Sequence, residues 1–170
     1  WGHYIDPHAP YDLDDGQTQD DPRARQLAEI HRADREMARV LAHLEALGQL
    51  DRTLVIITSD HGEEFRDHGG LLHGTTVYNE LLHVPLLLRL PGVEGRPIDT
   101  PVSLVDLVPT TLHLLGVQSP VPFSGRVWSE LLGLPGPRTD WKSRPILGLS
   151  SLHQTLTAVI QGDDKLIEHD

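Results

Sequence analysis

The 170-residue chain contains no cysteine, which excludes disulfides and thiolate metal sites and leaves the cellular compartment open. Positive charge is scarce: Lys and Arg number 14 against 25 Asp and Glu, for a formal charge of −11. A nucleic-acid backbone is therefore a poor partner, because neutralising phosphates takes clustered cations. An anionic substrate is repelled at long range and needs a metal or local cations to be held. No apolar run approaches the ~20 residues of a membrane-spanning helix. No signal peptide is visible. Trp1 stands where an initiator Met would be, and Trp1-Gly-His-Tyr-Ile5 reads like the inside of a strand. The chain is therefore expected to begin in mid-fold, so the missing signal carries no information about export.

What is present is globular in character. A hydrophobic fraction of 38% with 23% charged residues is that of a folded chain, and 15 Gly with 13 Pro promise many turns. The length suits one domain or part of a larger one. Residues 12–21 are acidic and polar, as in an exposed loop. From Pro22 to Leu47, Leu27, Ile30, Met37, Val40, Leu41, Leu44 and Leu47 recur at three- and four-residue spacings. They predict a helix with one apolar stripe, capped by Asp20 or Asp21 and stopped by Gly48. Thr53-Leu-Val-Ile-Ile-Thr58 is a β-branched run of the kind buried on both faces of a parallel sheet, and Val84–Leu90 is a second run about one crossover later. A further helix is expected from near Asp106 to Gly116, with Pro109 in its first turn. The tail predicts strands at Thr155–Ile160 and Lys165–Ile167, paired around Gly162-Asp163. The alternation describes an α/β sandwich with a mostly parallel central sheet flanked by helices, followed by the start of a small antiparallel segment.

Chemistry concentrates in Thr58-Ser-Asp-His-Gly-Glu-Glu-Phe65. Asp60 and His61 follow the C-terminal end of the first strand, the edge where open α/β sheets bind ligands. A carboxylate beside an imidazole, with Gly62 permitting a tight turn, suits a divalent metal. The competing reading makes Asp60 a helix N-cap. His61, His68, His73 and His83 crowd one short stretch, a density that fits a metal or polyanion site. His8 is held between Pro7 and the Ala9-Pro10 pair in a stiff loop.

Four stretches, in this order and spacing, resemble the sulfatase family of the alkaline phosphatase superfamily. They are Asp6-Pro-His-Ala-Pro-Tyr11, Leu50 through Phe65, His73 through Pro85, and Leu104-Val-Asp-Leu-Val-Pro-Thr-Thr-Leu-His-Leu-Leu-Gly116. The resemblance implies an alkaline phosphatase-like fold and a sulfuric ester hydrolase acting on small-molecule or carbohydrate sulfate esters. It makes Asp60 and His61 ligands of one divalent metal, and His8 a contact to the sulfate or leaving-group oxygen. His73 matches a position where many relatives carry Lys, which implies stabilisation of charge on the transferred group. An imidazole, unlike an ammonium, changes charge near neutrality, so His73→Lys is expected to alter the pH–rate profile. By resemblance the metal is Ca²⁺, but many calcium-binding members have Asn where this chain has His61, and an imidazole suits Mn²⁺ or Zn²⁺ better.

The family nucleophile is a formylglycine made from Cys or Ser within a Cys/Ser-x-Pro-x-Arg motif, which this chain lacks. The nucleophile and further acidic ligands are therefore expected upstream. Residues 1–135 would be the C-terminal half of the catalytic domain, with 136–170 a linker and the beginning of a smaller subdomain. Such a segment alone is expected to be inactive. Two other readings stand beside this one. The same superfamily includes phosphodiesterases, phosphonate hydrolases and phosphoethanolamine transferases, and a remnant without catalysis could still bind metal. The family suggests a periplasmic or extracellular location; substrate identity and oligomeric state are not legible.

Overall fold

The helical segment begins where its caps demand. In the computed structural model, which describes residues 2–11, 21–152 and 155–169, helix α1 spans Pro22–Ala46, with Pro22 in the first turn. Asp21 Oδ1 accepts from Arg23 N at 3.1 Å, satisfying one of the donors a helix start leaves open. Gly48, at φ +63°, ends the helix in the left-handed conformation that a side chain would resist. The expected apolar stripe is present but largely uncovered: Leu27 and Val40 are 51% and 53% exposed, whereas Glu29 and Ala33 are buried. The acidic stretch 12–20 lies outside the described residues, and residues 2–5, read as strand interior, form no ladder among those described. Strand propensity needs a hydrogen-bonding partner before it becomes a strand.

The chain divides into two units, one from the described residues of 1–73 and 83–95, the other from 74–82 and the described residues of 96–170. In the first, β1 (Val55–Thr58) pairs with β4 (Leu86–Arg89), with Ile56 opposite Leu88 and Thr58 opposite Leu86. The pairing is antiparallel, which corrects the parallel arrangement expected for these two runs. Their apolar continuity signals cover on two faces and carries no information on direction. Leu87, at the middle of β4, is exposed. Two short strands, β2 (Glu64–Phe65) and β3 (Leu71–Leu72), form an antiparallel hairpin.

The second unit holds the short α2 (Asn79–Leu82), α3 (Leu107–Leu114) and a three-stranded meander. Its strands are β5 (Ile146–Ser150), β6 (Leu156–Gln161) and β7 (Asp164–His169). They pair antiparallel in that order, the predicted hairpin turning at Gly162. Leu156 and Ala158, on one face of β6, pack with Val77, Leu82 and Ile167 to make its core. Gly148 lies so close to Leu82 that a Cβ there would meet the leucine methyl at 2.5 Å. Every ladder among the described residues is antiparallel. No helix among them is long and apolar enough to cross a membrane.

Candidate active site

The first unit turns sharply after β1, and side-chain bonds to the backbone hold the turn. Thr58 Oγ1 donates to the Pro85 carbonyl at 2.8 Å, Ser59 Oγ to the His61 carbonyl at 2.6 Å, and the His61 amide to Asp60 Oδ1 at 3.1 Å. Asp60 does not cap a helix, because β2 begins four residues later. His61 Nδ1 lies 2.8 Å from the Gly62 carbonyl. A carbonyl only accepts, so the ring proton sits on Nδ1 and the Nε2 lone pair is free. That nitrogen is 3.9 Å from Asp60 Oδ2, a span that two ligands each about 2.0–2.4 Å from one ion can bridge. Among the described residues no third acidic or imidazole donor closes a compact set with them.

The other two imidazoles arrive from separate segments. His73 directly follows β3, after Leu72, whose φ of +67° is one that costs a non-glycine residue about 1–2 kcal/mol. Its ring stacks on His61, centroids 4.1 Å apart at 29°, and meets the edge of His8 at 5.0 Å and 65°. His8 sits in a turn closed by its amide on the Ile5 carbonyl, and its Nδ1 lies 2.6 Å from the Ala9 carbonyl. From α1, Gln26 Nε2 donates to the Pro7 carbonyl at 3.3 Å and steadies the same loop. The four positions singled out in the sequence, His8, Asp60, His61 and His73, thus lie together. His68 lies exposed on the β2–β3 loop and His83 is exposed ahead of β4.

Two residues to which the sequence assigned no role organise this cluster. Glu63, its side chain 5% exposed, accepts from His73 Nδ1 on Oε1 at 2.9 Å and from the Tyr11 hydroxyl on Oε2. The buried Tyr11 ring also leans on Phe65. Burial pushes the Tyr11 phenol well above its ordinary range, and the Glu63 carboxylate and the charge of Glu29 push it the same way. Tyr11 therefore stays an O–H donor. Glu64, the next residue, is buried and accepts from the His68 and Gly70 amides at 3.1 and 2.8 Å, shaping the hairpin loop. Asp67 on that loop pairs with Arg23 of α1 at 2.7 Å, so the helix anchors the hairpin. No local pattern singles out Glu63: it precedes β2, so strand alternation does not set which way its carboxylate faces.

A family model described as Sulfatase matches residues 1–117. The chain belongs to the sulfatase family. Arylsulfatase K of Xenopus laevis is 41% identical to this sulfatase chain over 113 residues, covering 66% of the chain and 21% of the frog protein. The multifunctional alkaline phosphatase superfamily protein PehA of Trinickia caryophylli is 35% identical over 135 residues, covering 77% of the chain and 26% of PehA. Among solved structures, the phosphonate monoester hydrolase SpPMH from Silicibacter pomeroyi superposes with a TM-score of 0.74 at 29% identity. That match covers 87% of the sulfatase chain and 32% of the other. The phosphonate monoester hydrolase of Agrobacterium radiobacter, at TM-score 0.75 and 24% identity, supports the shared fold alone. The sulfatase chain thus spans a fifth to a third of these proteins. Its family is one of hydrolytic enzymes.

Proposed function

We propose that this sulfatase chain is part of a metal-dependent sulfuric ester hydrolase whose site is the cluster of His8, Asp60, His61 and His73. What carries the reading is the meeting of three imidazoles and one carboxylate, from three separated stretches of sequence, beyond the end of β1. Asp60 and His61 would hold one divalent ion, which when bound supplies Lewis-acid charge to the oxygens of the transferred group. Ca²⁺ is the family's metal and Mn²⁺ or Zn²⁺ the better match to an imidazole. The nucleophile, a formylglycine, would come from outside these residues. Residues 1–135 would then belong to the catalytic domain and 136–170 open a smaller subdomain, with the protein working outside the cytoplasm.

The tautomers define what each histidine can do. With the Nδ1 proton of His8 held on the Ala9 carbonyl, His8 gives a proton to a leaving oxygen only through Nε2 of its imidazolium form. His73, with Nδ1 on Glu63, likewise faces substrate through Nε2. A phosphonate or phosphate ester substrate is the second reading, favoured by the likeness to SpPMH. The full-length protein assayed on paired aryl sulfate and aryl phosphonate monoesters separates the two. A kcat/KM at least about tenfold higher for the sulfate is expected; the reverse order overturns the sulfate assignment, and no hydrolysis of either ester overturns the hydrolase reading.

A further inference from the structure

We propose that Glu63 is a positioning residue that sets the tautomer of His73 and, through Tyr11, the place of the loop carrying His8. The inference rests on the reading that these two imidazoles face the substrate. A carboxylate with 5% of its side chain exposed must replace its lost water with donors. Among the described residues Glu63 has two, and each belongs to a segment that carries a site histidine. Tyr11 closes the loop that begins at Asp6, three residues beyond His8, and its hydroxyl donates to Oε2. Because the phenol is held far from ionisation, this bond has one direction only. His73 Nδ1 donates to Oε1 at 2.9 Å.

The covalent geometry of imidazole then decides the rest. A neutral ring has one N–H, and an acceptor on Nδ1 leaves Nε2, across the ring, as the nitrogen with the free lone pair. The Ala9 and Gly62 carbonyls impose the same tautomer on His8 and His61. In those two the acceptor belongs to the backbone beside the ring. At His73 it is a side chain ten residues away, so one substitution removes it without touching the chain around the histidine. Glu63 also reaches 52 residues back to Tyr11, which makes one buried carboxylate the joint between the His8 loop and the His73 segment. A carboxylate that hydrogen-bonds the far nitrogen of a working imidazole orients the ring, and losing such a partner costs activity without direct contact to substrate.

The test uses the full-length protein with ¹⁵N-labelled histidine and three variants, Glu63→Gln, Glu63→Leu and Tyr11→Phe. Imidazole nitrogen shifts in metal-free protein report the tautomer, and aryl sulfate kinetics of the metal-loaded protein report turnover. Glutamine keeps an oxygen for Nδ1–H, so His73 stays Nδ1-protonated and kcat falls less than about fivefold. Leucine, of similar size, removes the acceptor: His73 moves to the Nε2–H form, and kcat falls about 10- to 100-fold while KM changes less than about threefold. Should the leucine variant not fold, Tyr11→Phe reads the other arm, with kcat down about fivefold, the worth of one hydrogen bond, and the His73 tautomer unchanged. A His73 that keeps Nδ1–H in Glu63→Leu, equal kcat losses in the Leu and Gln variants, or full turnover in Tyr11→Phe overturns the proposal. The tautomer change needs no turnover. A wild-type protein inactive on sulfate and phosphonate esters that still shows the change sinks the hydrolase reading and supports the positioning one.

Discussion

Replacing Asp60 with alanine in the full-length protein is expected to cut aryl sulfate turnover by roughly a thousandfold or more, and metal content with it. Metal charge on a transferring group is worth several kcal/mol, and each 1.36 kcal/mol is a factor of about ten. Asp60 has little else to do. Its side chain is 76% exposed, and among the described residues its contacts are with the neighbouring His61, whose amide it accepts from. The fold should therefore hold within about 0.5 kcal/mol, the usual range for an exposed substitution. Asp60→Asn keeps an oxygen ligand without the charge and should fall between. His61→Asn exchanges an imidazole for an amide oxygen and is expected to move the metal preference from Mn²⁺ or Zn²⁺ towards Ca²⁺. Elemental analysis beside kcat checks all three. Wild-type metal content and turnover in Asp60→Ala would remove Asp60 from the site.

The largest stability effect is expected at Asp106, in the second unit. Its carboxylate is fully buried and takes both guanidinium nitrogens of Arg144, at 2.6 and 2.7 Å, in a two-pronged bond. It also accepts from the Arg126 amide at 2.7 Å, the Ser103 amide at 3.1 Å and Trp128 Nε1 at 3.3 Å. One residue thereby joins the start of α3 to the 126–128 segment and to the approach to β5. Asp106→Ala leaves a largely buried arginine without its counter-charge, and urea unfolding should show a loss of about 3–5 kcal/mol. Burial pushes the Asp106 carboxyl up, but the Arg144, Arg126 and Ser103 donors outweigh it and hold the group below its ordinary 3.8. A depressed folded value means the stabilisation is complete above about pH 4 and is lost as pH falls from there through the folded value. Acid unfolding should begin below about pH 4 in the wild type, and the alanine variant should lack that pH-dependent contribution. A loss under 1 kcal/mol would show that the pair only offsets its own desolvation.

Much of this was legible in order along the chain. Asp21 and Gly48 bracket α1 where capping chemistry puts them, and Asp60-His61 lies just past the end of β1. The stripe on α1 was legible as a pattern, yet Leu27 and Val40 stand exposed while Glu29 is buried. Periodicity says which residues share a helix face and nothing of what covers it. The direction of β4 against β1 was likewise misread, since the two runs look the same whichever way they pair.

By itself, then, the amino-acid sequence determined where α1 starts and stops, the family, and which imidazoles and carboxylate are the candidates for the site. Those signals lie between neighbours a few residues apart, where covalent geometry limits the outcomes. Only the tertiary structure decided that Glu63 joins Tyr11 to His73 and that Asp106 meets Arg144. A buried charge takes its partner from across 38 or 52 residues of chain, and that choice depends on how loops close and what they shield from water, which no local pattern encodes.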